Sequence, residues 1–257
     1  MSWEVVMFNL KGKVAVITGG NGGIGLGIAT GIASAGASVV LAARNVEKMN
    51  DAVMGLQDQG FQASSEAVDV NDEDSISNLI DGTVNRFGRL DILVNNAGTT
   101  IRKDPQDYEE SEWDHVMDIN LKGTFLCSKH AYRHMVNVGG GKIINIGSMT
   151  SIFGLDIGAV YSASKGGVVQ LTKSLSNAWA KDNIQVNCIL PGWIHTEMTA
   201  HIKLTNQPWY ESILSRIPQD RWGEPADLAG TGVFLASSAS NYVTGIAIPV
   251  DGGYTAF

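Results

Sequence analysis

From Lys13 onward, short β-branched apolar runs alternate with longer amphipathic stretches. The runs predict strands at 14–18, 38–42, 62–67, 92–95, 142–146, 184–190 and 247–250. Most are nearly continuous rather than alternating, the pattern of parallel strands covered on both faces. Between them the 3.6-residue period predicts helices near 24–34, 46–59, 72–87, 111–136, 160–181 and 226–237. Such alternation describes a doubly wound α/β sheet of about seven parallel strands with helices on both faces. No linker, repeat or low-complexity tract interrupts it, so residues 1–257 read as a single domain.

The pacing breaks once, at residues 192–224 between the sixth and seventh strands. Connections longer than about 15 residues in a compact domain are usually functional. This one carries Trp193, Ile194, Met198, Ile202, Trp209, Tyr210, Ile213 and Leu214, too apolar a set for a solvated loop. Residues 193–222 therefore read as a short helical lid over a substrate pocket.

Charge and composition narrow the function. The chain has 18 Lys plus Arg against 26 Asp plus Glu, a net charge of −8, and a pI near 5.0. With no basic cluster, nucleic acid is excluded as the main partner, because phosphate neutralisation supplies most of that binding energy. An anionic membrane surface would repel the chain, and no apolar stretch approaches the ~20 residues that span a bilayer. Glu4 stands where a secretory leader would be positive, so a cytoplasmic location is expected. The two cysteines, Cys127 and Cys188, lie in element interiors and suit a reduced compartment.

Glycine is in excess, at 30 residues. Five of these fall in Thr18-Gly19-Gly20-Asn21-Gly22-Gly23-Ile24-Gly25, where the first strand turns into a helix. Glycines there admit a pyrophosphate against bare backbone, and the helix N-terminus offers N–H groups and about half a positive charge. This predicts a Rossmann-type dinucleotide site; a nucleoside-triphosphate loop is excluded by the lack of a GK[ST] sequence. After the second strand stand Ala42-Ala43-Arg44-Asn45, with no acid for ribose hydroxyls and an arginine able to fork a 2′-phosphate. That favours NADP(H), although Arg44 stacking on the adenine of NAD(H) remains open. Asp69 and Val70 after the third strand suit the adenine, with helix capping the alternative for Asp69.

The chemistry falls in the second half. Tyr161 and Lys165 are four apart and share a helix face, and Ser148 follows the fifth strand. A tyrosine beside an ammonium has its pKa drawn down from ~10 and can exchange a proton with an alcohol or carbonyl oxygen. Ser148 would fix that oxygen by a hydrogen bond. The five histidines lack zinc-site spacing, so no metal is expected.

Thr18 to Gly25, Asn95-Asn96-Ala97-Gly98, Asn120, Ser148, Tyr161-Ser162-Ala163-Ser164-Lys165, Pro191-Gly192 and Val250-Asp251-Gly252-Gly253 stand in order along the chain. On these residues the chain resembles a short-chain dehydrogenase/reductase of the 250-residue type over nearly its whole length. The resemblance implies an enzyme that interconverts a secondary alcohol and a ketone by hydride transfer to or from NAD(P). It implies Tyr161 as the acid, Ser148 as the carbonyl orienter, Lys165 as the ribose ligand that depresses the tyrosine pKa, and Asn120 as the holder of a relay water. It further implies that Gly19, Asn21, Gly23, Ile24, Asn96, Ala97, Gly98, Tyr161, Lys165, Pro191, Gly192, Ile194 and Thr196 line the cofactor. A homotetramer pairing helices 111–136 and 160–181 is implied too.

Substrate choice is less explicit. Residues 97–102, Trp113-Asp114, Ile143 to Met149 and Trp222-Gly223 resemble sugar-acid members of the family, the gluconate and deoxygluconate dehydrogenases. Arg102 or Lys203 would then hold a carboxylate. Glu197 points the other way: facing the pocket among Met149, Phe153, Trp193 and Met198, it would attract a protonated amine. A cyclic amino ketone of the quinuclidinone type, reduced with Ser148 and Tyr161, is the favoured expectation from that acid. Sugar acids are the first alternative, and a non-catalytic dinucleotide-sensing scaffold is the second.

Overall fold

The computed structural model describes residues 7–256, so the reading of Glu4 lies outside the described residues. Seven strands, β1 Val14–Thr18, β2 Ser38–Ala43, β3 Ala63–Ala67, β4 Ile92–Asn95, β5 Gly141–Ile146, β6 Ile184–Pro191 and β7 Ala247–Val250, form one sheet. Its order is β3-β2-β1-β4-β5-β6-β7 and every pairing is parallel. Each strand was legible because burial on both faces demands apolar runs. The exceptions are the two edge strands, β3 (Ala-Ser-Ser-Glu-Ala) and β7, whose residues are only half-buried or exposed.

Successive residues divide between the two faces. Ala15, Ile17, Val39 and Leu41 pack against Ile28 and Ile32 of α1 (Gly23–Ser34) and Val53 and Leu56 of α2 (Val46–Gln57). Val16, Val40 and Leu93 face Ile76, Leu79 and Ile80 of α3 (Glu73–Phe87). Strand order reverses between β1 and β4, and in such sheets the crevice beyond that point is the ligand site.

The helix expected over 111–136 is interrupted. α4 (Glu110–Met117) passes through a π-helical turn, Asp118–Lys122, into α5 (Gly123–Asn137). Periodicity cannot show one extra residue per turn, and such bulges often serve to place a functional side chain. Here the turn buries Asn120 completely. α6 (Ala159–Trp179) follows as expected, whereas the helix near 226–237 opens with a 3₁₀ turn, Pro225–Leu228, before α9 (Ala229–Ala236). Between β6 and β7 the expected lid is two helices, α7 (Glu197–Thr205) and α8 (Gln207–Leu214). They form a separate apolar cluster of Met149, Trp193, Ile202, Ile213, Ile217, Trp222 and Tyr254.

α1, which carries the glycine turn, is set by contact with the Pro225–Leu228 turn. A Cβ on Gly27 would lie 2.3 Å from the carbonyl oxygen of Pro225, whereas one on Gly82 in α3 would meet nothing within 4 Å. Alanine is favoured over glycine inside a helix by about 1 kcal/mol, and overpacking costs about 1–3 kcal/mol. Gly82→Ala is therefore expected to raise the melting temperature by a few degrees and Gly27→Ala to lower it; differential scanning calorimetry checks both signs.

Candidate active site

The carboxyl ends of β1 and β4 are fastened together. Thr18 Oγ1 accepts from the amides of Asn96 and Ala97, both at 3.1 Å, and Asn96 Nδ2 donates to the carbonyls of Thr18 (3.0 Å) and Gly19 (2.9 Å). The glycine turn sits on this knot: a Cβ on Gly25 would lie 2.4 Å from Gly19 O and 2.5 Å from Asn96 Nδ2. Only bare backbone fits, which leaves the N-terminus of α1 open to a ligand.

Two cavities of about 340 and 380 Å³ meet at Gly19, Asn21, Ala97 and Gly98 and make one trough. The second holds Arg44, Asp69 and Val70 at its far end. The first holds Gly23, Ile24, Asn96, Lys165, Pro191, Gly192, Ile194 and Thr196, and is lined as well by Ser148, Met149, Tyr161, Trp193, Glu197 and Met198. This elongated glycine-walled cradle fits a dinucleotide. Asp69 Oδ1 accepts from the Asn71 amide at 3.0 Å, and Asp72 rather than Asp69 caps α3.

Tyr161, Ser148 and Lys165 converge in the first cavity. Ser148 caps the short turn Met149–Ser151, its Oγ accepting from Thr150 N at 3.1 Å, which fixes the hydroxyl below the pocket. Lys165 Nζ donates to Ile146 O at 2.7 Å and lies 5.8 Å from the Tyr161 ring centre. Burial lowers the Lys165 pKa to about 8. Burial also raises that of Tyr161, opposed by the Ser148 hydroxyl and by the charge of Arg102. Arg102 is thus a cation acting on Tyr161, and Lys165, the one expected to do so, stands 5.8 Å from the ring centre. Asn120 accepts from Thr99 N (2.8 Å) and donates to Thr99 O (2.9 Å) and Ser164 Oγ (3.0 Å), pinning the 99–100 segment to α6. Both cysteines are inert: burial pushes Cys127 up to about 12 and Cys188 to about 11.

Two substrate expectations need correction. Phe153 does not line the cavity and instead packs against Tyr254, ring centres 5.8 Å apart. Glu197 stands at the cavity mouth, its side chain 84% exposed and bonded to Lys48 Nζ at 2.6 Å, so it offers no free carboxylate to an enclosed amine. The charge that does reach the chamber is positive. Arg102 lines the first cavity, half-buried, and burial lowers its pKa while Tyr161 opposes that shift. Nη1 lies 3.1 Å from His201 Nε2, the guanidinium is 5.8 Å from the Trp209 ring centre, and no ion pair engages it among the described residues. Lys203, the other candidate cation, is exposed with its Nζ 5.5 Å from the Tyr210 ring centre, and it does not line the cavity. Lys48 and Thr100 also line the trough and went unassigned; the 149-residue separation of Lys48 from Glu197 left no local signal.

Comparison with known proteins agrees with this geometry. A family model described as "Enoyl-(Acyl carrier protein) reductase" matches residues 19–255. A 2-dehydro-3-deoxy-D-gluconate 5-dehydrogenase of Escherichia coli is 45% identical over 97% of this chain and 98% of its own length. A gluconate 5-dehydrogenase of Gluconobacter oxydans is 37% identical over 97% of both chains. The crystal structure of a gluconate 5-dehydrogenase from Burkholderia cenocepacia, in complex with NADP and tartrate, superposes with a TM-score of 0.94 at 38% identity, covering 99% of each chain. With the sheet, the glycine cradle and the Ser148, Tyr161 and Lys165 set all in place, the chain belongs to the short-chain dehydrogenase/reductase family of oxidoreductases that act on CH–OH groups.

Proposed function

We propose that the protein is an NADP(H)-dependent dehydrogenase of sugar acids, interconverting a secondary hydroxyl and a ketone on a gluconate-like chain. The observation that carries this reading is Arg102, a half-buried guanidinium in the reaction chamber that no carboxylate among the described residues engages. A cation withdrawn from water gains most from an anionic partner, and a guanidinium matches a carboxylate in a two-point fork. The same charge opposes a protonated amine. Relatives named for gluconate and deoxygluconate oxidation support the choice, and the bound tartrate of the Burkholderia enzyme is itself a hydroxy diacid.

Catalysis then follows from the chain's own groups. The nicotinamide supplies or accepts the hydride. Tyr161 donates its phenolic proton to the carbonyl oxygen in reduction, while Ser148 holds that oxygen. Arg102 serves twice, anchoring the substrate carboxylate and offsetting the burial that raises the Tyr161 pKa. Lys165, its pKa lowered to about 8 by burial, would hold the nicotinamide ribose. Arg44 is exposed at the mouth of the second cavity, with no acid beside it on β2, and would take the 2′-phosphate. The NADP of the Burkholderia structure is consistent with that preference.

Three outcomes are expected. Initial rates of NADPH oxidation should be high with keto-sugar acids and low with 3-quinuclidinone; the reverse order overturns the substrate reading. Arg102→Met should raise KM for a keto-sugar acid about 10- to 100-fold, since charged hydrogen bonds contribute about 1.5–3 kcal/mol, and leave the KM for a neutral ketone within about twofold. Equal losses on both would remove Arg102 from carboxylate binding. Tyr161→Phe should lower kcat by a factor of ~10² or more without weakening binding of the substrate acid, read by single-turnover kinetics.

A further inference from the structure

Lys48 has no part in the chemistry described above, yet it stands over the cofactor cradle. It lies in the first turn of α2, where Asn45 caps the helix by accepting the Lys48 amide at 3.0 Å. From there Nζ reaches a point 3.1 Å from where Gly22 would carry a Cβ, directly against the glycine turn. The same Nζ donates to Oε1 of Glu197, the first residue of lid helix α7, at 2.6 Å. Lys48, Gly22, Gly23, Thr196 and Glu197 thus share one wall of the trough.

An ion pair this exposed contributes little to stability, so it is not what holds the lid in place. Its position is what matters. Gly22 is the N-cap of α1 and brings no side-chain acceptor, so the helix terminus and the Lys48 ammonium present positive charge to the same few ångströms of space. Arg44 lies in the other cavity, at the adenosine end. The two cations are therefore spaced to read different phosphates.

We propose that Lys48 is a ligand of the dinucleotide pyrophosphate and that Glu197, holding the same ammonium from the opposite side, ties the first turn of the lid to the bound cofactor. This rests on the cofactor half of the function proposed above and is independent of the sugar-acid substrate. With the dinucleotide seated, Lys48 lies between two anions. Lid closure and cofactor retention then reinforce each other, whereas without it only the exposed pair joins α2 to α7.

The test is binding without ketone, followed by quenching of tryptophan fluorescence for both NADPH and NADH. Lys48→Met keeps the aliphatic stem and should raise Kd for both nucleotides by the same factor, about tenfold, with Lys48→Arg restoring most of the affinity. Glu197→Gln should speed NADPH release several-fold in a stopped-flow displacement, and the double variant should release it no faster than Lys48→Met alone. Unchanged affinities in Lys48→Met, or a loss confined to NADPH, overturn the pyrophosphate assignment. Unchanged release in Glu197→Gln, or additive effects in the double variant, overturn the link to the lid. Arg44→Met separates this from the cofactor reading: it should weaken NADPH alone, and if it weakens neither nucleotide the NADP preference fails while an equal Lys48 effect stands.

Discussion

The site depends on how the end of β1 is fastened to the end of β4. Parallel strands end in unpaired backbone groups, and where strand order reverses those ends part and leave a crevice. In this chain Thr18 and Asn96 close the bottom of that crevice with side chains that satisfy the strand-end amides and carbonyls. The glycine turn can then pass over Asn96 with no room for a Cβ, and α1 points its free amides into the cleft. Further along the same edge, a buried polar ladder repeats the device. Asn95 donates to Ser128 and Asn145 at 2.9 Å each, and Asn145 donates to Thr172, also at 2.9 Å. These bonds join β4 and β5 to α5 and α6, and α6 carries Tyr161 and Lys165.

Electrostatics gives the trough its direction. The protein is acidic overall, yet the groups that look into the trough include Lys48, Arg102 and Lys165. Lys48 is partly exposed and paired with an exposed carboxylate, whereas Arg102 and Lys165 have lost water with only partial compensation, a histidine nitrogen and a backbone carbonyl. A cation held in this way is poised for an anionic ligand, because the desolvation cost has already been met in folding. On the proposed function, a dinucleotide phosphate at one end and a substrate carboxylate at the other would complete the arrangement. The lid adds His201 and Trp209 against Arg102, so this cation is framed by the flap beside it.

Much of this was legible in one dimension. The seven strands could be read because burial on both faces leaves runs such as Val14–Thr18, and even polar β3 was placed by its position between two helical stretches. The lid was visible as an apolar surplus in an overlong connection. The cradle and the Ser148, Tyr161 and Lys165 set lie within short spacings, where a strand, a turn or one helical turn fixes the geometry. The π-helical turn at Asn120 was not legible, because it preserves the apolar pattern on both sides while adding one residue to a turn.

By itself, then, the sequence determined the sheet, the dinucleotide cradle and the acid-base helix, all consequences of local periodicity and of residues close along the chain. Only the tertiary structure decided which charges line the chamber. In the sequence Glu197 was the favoured candidate, with Arg102 and Lys203 the alternatives, and distant partners reversed that order: Lys48, 149 residues away, holds Glu197 at the surface, and His201, 99 residues away, lies against Arg102 in the chamber. A long flexible side chain near a cavity can turn inward or outward at similar local cost, so its direction is chosen by whatever the fold brings alongside it.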